Sequence, residues 1–274
     1  MTEEIKNYQY ENSKKKQIII PKGIEKIGVG AFANSEIESI IIPSSVSRIS
    51  HGAFRGCTNL KSVVFETDDC RVCTEAFINC THLETVTNFP DKESVKEKVF
   101  KNCFSLNNIT FANNRIDTVD EDAFYNCESL NEITLPDLIT ICTSAFANCI
   151  NLEKINIDKL QQIDSFAFEN CKKLSLLDFS STDLKRIGCE VFKGCTSLFE
   201  LRFSNVDRIY AESFEGCNNL QQIIISKKSC KLNEDFYNRY KKIIIDDTSL
   251  DALISSGKSF KEISKIYKNN NISR

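Results

Sequence analysis

Thirteen cysteines in 274 residues are the side chains here best equipped for chemistry. Thiols pair as disulfides, ligate zinc or exchange electrons, and each use demands its own spacing. Cys70-Arg71-Val72-Cys73 is a lone C-x-x-C. A redox version needs a helix N-terminus after a strand, a zinc knuckle needs a second pair, and neither accompanies it. Val72 belongs to a core ladder, so its flanking cysteines are expected to point off the core-facing line. His51 and His82 fall at non-equivalent loop positions with no acidic or cysteine partner at ligand spacing, which argues against zinc or triad chemistry. Gly28-Val29-Gly30 begins a G-x-G but lacks the third glycine and the strand-to-helix setting of a phosphate cradle. The sequons at Asn79, Asn108 and Asn271 read as by-products of a repeat. No catalytic, metal-binding or cofactor-binding residue emerges, and a non-enzymatic protein without cofactor or metal is expected.

The placement of the cysteines explains their number. Eight of them (Cys57, Cys80, Cys103, Cys127, Cys149, Cys171, Cys195 and Cys217) stand three residues after a phenylalanine. Those phenylalanines, with Phe32 ahead of them, recur every 22 to 24 residues up to Phe214, and a degenerate tenth copy sits at Phe236. A period of that size marks a solenoid, in which each turn covers the apolar face of the next. Stacked coils place the eight thiols in one column pointing into the core, where Cys serves as a small hydrophobe and weak donor. Ser35 stands near this place in the first rung. A reduced, buried thiol ladder is therefore expected, with disulfides between stacked thiols as a redox-responsive alternative.

The elements that position this column follow from the rest of the phrase. Five residues before each Phe stands Ile or Val, from Ile27 and Ile49 through to Ile187 and Ile209. Leu follows three after each Cys, and Leu-x-x-Ile-x-Ile then alternates as a strand does. Ala-Phe-x-x-Cys at i, i+3 predicts a single helical or 3₁₀ turn with both side chains on one face. Each coil thus predicts one strand, one tight turn and a second extended stretch, with strands of successive coils pairing in parallel into one large sheet. Residues 1–19 are expected to cap the N-terminal end, through Tyr8, Tyr10 and the Ile18–Ile20 stretch. The solenoid is expected over 20–245. Residues 246–274 are expected to form a helical C-terminal cap, because Ser259-Phe260-Lys261-Glu262 reads as a capping box.

Bulk properties exclude other classes. The net charge is −3 with acidic and basic residues intermixed, so no phosphate-tracking surface and no nucleic-acid partner are expected. No stretch approaches the roughly 18 apolar residues of a membrane span. The N-terminus lacks a secretory pattern and the C-terminus a prenylation box, which predicts a cytoplasmic location without direct membrane insertion.

The phrase Ile-Gly-x-x-Ala-Phe-x-x-Cys-x-x-Leu-x-x-Ile-x-Ile-Pro, seen from Ile27 to Pro43 and from Val119 to Pro136, resembles the repeat of bacterial surface antigen A-type (BspA-like) leucine-rich repeats. The resemblance spans roughly residues 20–240. It implies an α/β solenoid of right-handed leucine-rich-repeat type and a role in adhesion or protein contact, with a cell-surface adhesin as the alternative to a cytoplasmic binding module. Such repeats also occur in parasitic protists.

Function is then expected at the variable, outward positions of the Leu-x-x-Ile-x-Ile strand. In the N-terminal half these are small and neutral. From Glu132 through Lys154, Asn156, Leu176 and Asp178 to Glu200 and Arg202 they become charged around one exposed leucine, which suits a protein ligand.

Overall fold

The computed structural model describes residues 3–90, 94–113, 115–204, 206–225, 234–240 and 244–246. The coils from Ile27 to Phe203 each contribute two strands, the end coils have isolated bridges at Gln17 and Arg208 in place of one, and all pairings among the described residues are parallel. One set is formed by the Leu-x-x-Ile-x-Ile segments. It comprises a four-stranded sheet from Ser39–Ile42 to Asn108–Phe111, a two-stranded sheet of Glu132–Ile133 and Lys154–Ile155, and a four-stranded sheet from Leu176–Phe179 to Ile244–Asp246. The single long sheet expected from the repeat is thus divided in three. The stretch ahead of each Phe forms the second set, two residues per coil. One sheet runs from Glu4–Ile5 to Arg71–Val72 and another from Ser94–Val95 to Arg186–Ile187.

Register follows from burial, since a one-residue slip would turn every core side chain outward. Ile27, Ile49, Val72 align in one row, and Ile40, Val63, Val86 in another. The phenylalanines fill the space between sheets and turns. From Phe32 to Phe214 successive rings stack at 4.9 to 5.9 Å with interplanar angles of 3 to 20°.

From Phe32 to Phe192 the turn holding each Phe is not helical, which corrects the α/β expectation. Helix is confined, among the described residues, to a 3₁₀ turn at Ala211–Phe214 and a seven-residue α-helix at Glu234–Tyr240. The reason lies two residues either side of the ring. In the Phe124 coil Asp122 and Asn126 take φ of 57° and 60°, and the same pair recurs as Ser144/Asn148 and Glu190/Gly194. A left-handed residue on each side reverses the winding before a helical turn can propagate. The freed N–H groups bond forward to the next coil instead: Phe124 N–H donates to the Ala145 carbonyl at 2.8 Å and Asn126 N–H to Ala147 at 2.9 Å. The turns therefore form a third hydrogen-bonded wall beside the two sheets.

The N-terminal segment obeys the same rules. Ile5 pairs with Ile27, Tyr10 stacks on Phe32 at 5.1 Å, and Tyr8 and Asn12 occupy the left-handed slots at φ 56° and 55°. Residues from Glu3 onward are thus a further coil with tyrosine in the Phe position. At the other end Phe236 and Tyr240 of the α-helix meet Phe214 edge-on, at 60° and 85°. The Tyr240 hydroxyl donates to the Ala211 carbonyl at 2.9 Å. The helical cap expected over 246–274 lies outside the described residues, save Asp246 at the end of the last strand.

Candidate functional site

Parallel pairing sets six of the seven sequence-chosen residues side by side on the Leu-x-x-Ile-x-Ile strands, in two groups, with Asn156 just beyond. In the two-stranded sheet Glu132 is directly paired with Lys154, and their charged ends lie 4.0 Å apart, both exposed. Asn156, just past that strand, is half-buried. In the C-terminal sheet Leu176 pairs with Glu200 and Asp178 with Arg202. Among the described residues no pairing joins Lys154–Ile155 to Leu176–Phe179, so the patch is two rafts rather than one strip.

Leu176 is 58% exposed, a large apolar side chain among charged neighbours; Ile41, 56% exposed, is its counterpart in the N-terminal sheet. Asp178 beside it is exposed. Glu200 departs from expectation: it is only 3% exposed. Its carboxylate accepts a 2.7 Å hydrogen bond from Arg202 Nε, and the guanidinium also stands 3.9 Å from Asp178. Glu200 lies between Leu176 and Gln222 on adjacent strands, and Gln222 and Ile224 beyond it are buried as well. A buried carboxylate is tolerated when it is paired and hydrogen-bonded. Glu200 is therefore an anchor for Arg202 and offers no surface of its own. The Arg202–Asp178 relation was readable in the sequence as opposite charges one repeat apart. The burial of Glu200 was not, because nothing in its repeat position distinguishes it from exposed Glu132.

The other chemical candidates resolve into structure. Each of the eight column thiols donates to the carbonyl of the phenylalanine one coil earlier, at 2.9 to 3.3 Å. The twelve described cysteines are all free. Burial pushes the thiols from Cys80 to Cys195 above the ordinary value and that of Cys217 up to about 12, away from exchange, while hydrogen bonds with Cys80 and Ser35 lower that of the buried Cys57. Ser35 takes the column position in the Phe32 coil, 3.4 Å from Cys57 Sγ. Cys70 corrects the reading of the C-x-x-C. It is buried to 1% with Val72, because residues two apart on an extended strand share a face. Only Cys73 lies off the core, half-buried. His51 does have an acidic neighbour, Glu75 at 3.6 Å one coil on, while His82 contacts the Thr58 carbonyl. Among the described residues no group of three or more His, Cys, Asp or Glu could hold a metal ion. No helix there is long and apolar enough to cross a membrane.

One repeated position escaped the sequence reading. The residue just before each column Cys is always Asn or Gly, and it is left-handed from Asn34 to Gly216. The asparagines also bond to one another: Asn102 Nδ2 donates to Asn79 Oδ1 at 2.7 Å, Asn126 to Asn102 at 2.7 Å and Asn170 to Asn148 at 2.9 Å. Asn79, one of the sequon residues, is occupied in this ladder.

Similarity to known proteins follows the same architecture. The chain matches the BspA type leucine rich repeat region in six copies, over residues 3–127 and 117–244. Among solved structures it is similar to the pneumococcal vaccine antigen PcpA, at 21% identity and TM-score 0.53, covering 89% of this chain and 75% of that one. It is also similar to the T. pallidum leucine rich repeat protein, at 24% identity and TM-score 0.52, covering 70% of this chain and 81% of that one. No curated protein matches in sequence. Phenylalanine stack, thiol column and matched repeats together place this chain in the BspA-type leucine-rich-repeat family.

Proposed function

We propose that the protein is a non-enzymatic binding scaffold that recruits a protein ligand on the outer face of its Leu-x-x-Ile-x-Ile strands. The exposed Leu176 carries this reading. An apolar side chain 58% exposed beside Asp178 and Arg202 is the kind of anchor that a partner covers while polar neighbours ring it. Glu132 and Lys154 add complementary charge one raft away, and Asn156 a polar contact. The interaction is tested by screening for binding partners and then measuring affinity with Leu176→Lys and Lys154→Glu, both at exposed positions. Loss of at least about tenfold with Leu176→Lys is expected. Full affinity in both variants would sink the assignment.

A second reading, a cell-surface adhesin or antigen, is favoured by the family description and by the vaccine antigen among its structural relatives. Surface labelling of intact source cells separates the two. A labelled protein supports display, and an unlabelled one in healthy cells supports an interior scaffold.

A further inference from the structure

The opposite sheet carries a feature that the proposed ligand face does not use. Lys26, Arg48 and Arg71 are directly paired in register on three successive strands. Parallel strands lie about 4.8 Å apart, so three cations stand side by side, an arrangement that costs stability. Several neighbouring coils instead set opposite charges side by side, as in Lys14–Glu36, Lys16–Glu38 and Lys173–Glu153, though Arg186 also faces Arg208. Here only Lys26 is so matched, by Glu4 at 3.0 Å. Arg48 and Arg71, both exposed, make no ion pair and no side-chain hydrogen bond with any described residue.

The arginines line a groove of about 700 Å³ that continues to Lys96. Among the described residues, strand pairing is interrupted there between Arg71–Val72 and Ser94–Val95. Asn7, Ser50 and Thr74 supply polar groups, and no acidic residue is among those lining it. Three neighbouring acids turn to other lining residues: Glu4 to Lys26 at 3.0 Å, Glu75 to the His51 ring at 3.6 Å, and Asp120 to Lys96 at 4.0 Å. What the groove lacks is carboxylate. No phenylalanine, tyrosine or tryptophan lines it, and His51 is its single ring, short of the row of stacking platforms that single-stranded nucleic acid uses.

We infer that this groove docks an acidic helix of a partner protein, its carboxylates meeting Arg48 and Arg71 bidentately. The spacing selects the helix. Side chains at i and i+3 or i+4 rise about 4.5 or 6 Å along a helix, close to the arginine repeat of about 4.8 Å. Same-face residues of an extended strand stand about 6.6 Å apart and fall out of step within two coils. This interface goes beyond the Leu176 face and is independent of it.

The test uses the whole chain and an alanine-rich peptide longer than about 15 residues, with glutamates along one face at i, i+3 and i+4. The control has the same composition with glutamates spread around the helix. The one-faced peptide is expected to bind more tightly, with affinity falling as salt rises. Arg48→Ser with Arg71→Ser should weaken it at least about tenfold. Serine is the residue at the equivalent place in the next coil, Ser94, so folding is retained and the melting temperature is unchanged or raised. Leu176→Lys should leave peptide binding intact, which separates a failure here from a failure of the other face. Equal binding of both peptides, or undiminished binding by the double arginine variant, would overturn the proposal. So would tighter binding of a sulfated oligosaccharide or of phosphatidylserine vesicles than of the one-faced peptide.

Discussion

At the residue scale, two side chains solve the same problem from opposite sides of the Phe turn. A buried phenylalanine carbonyl already accepts the N–H of Cys three residues on, and the thiol of the following coil gives it a second donor. That is why the column holds Cys rather than Ala. The Phe, Cys and Leu positions were legible in the sequence, and Phe146, Cys149 and Leu152 are buried to 0%. The Asn/Gly position beside them was equally regular but was passed over, because polar residues in a repeat read as surface. Its requirement is conformational: alanine at φ near 60° costs about 1–2 kcal/mol, whereas glycine adopts it freely. Asn126→Ala should therefore destabilise the protein by about 1–3 kcal/mol, adding the lost bond to Asn102. Asn126→Gly should cost less, retaining φ and losing only the bond. Urea denaturation of both variants checks this, and equal loss would mean that the hydrogen bond alone matters.

At the element scale, the strand alternation of Leu-x-x-Ile-x-Ile was read correctly, since period two needs only local information. The helical or 3₁₀ turn expected around each Phe forms as 3₁₀ at Phe214 and is absent from Phe32 to Phe192, because i, i+3 spacing of Phe and Cys also fits a bend between two left-handed residues. The distinction lay in neighbours such as Asp122 and Asn126, whose conformation is stabilised by N–H bonds to the next coil rather than to their own. The N-terminal coil was likewise present in the sequence, with Ile5 five before Tyr10 as Ile27 is five before Phe32. Tyrosine in the Phe slot hid it. Tyr10 closes one end of the ring stack, so Tyr10→Ser should cost about 1–3 kcal/mol. In a quasi-one-dimensional fold the loss stays local. Hydrogen exchange should accelerate in the Phe32 coil and remain unchanged around Phe146. Uniform acceleration along the chain would show instead that the coils unfold as one unit.

At the scale of the molecule, the thiol column makes stability depend on alkali. Burial raises the thiols from Cys80 to Cys195, and Cys217 to about 12, above the unfolded value of about 8.5. Below about pH 8.5 both states hold these protons and the stabilisation is complete. Above it the unfolded chain releases them first, so stability falls by about 1.4 kcal/mol per pH unit for each thiol, until the folded values are reached. The urea midpoint should drop steeply between pH 8 and pH 10, and Cys149→Ala should make the drop shallower by one thiol. A midpoint that does not move would place the thiols in contact with water. Native alkylation gives the complementary readout at whole-chain level. Exposed Cys189 should react first and the eight column thiols only on unfolding.

The repeat by itself determined which side chains are buried, the coil period and the parallel strands, because stacking identical units leaves one way to align their apolar positions. Only the tertiary structure decided what lies on the outside. Whether Glu200 meets water depends on Arg202 above it and on strands contributed by other coils. Arg48 and Arg71 become a pair of unmatched cations only once two coils are laid side by side. Local sequence cannot report such facts, since each also needs a strand from another coil, more than twenty residues away.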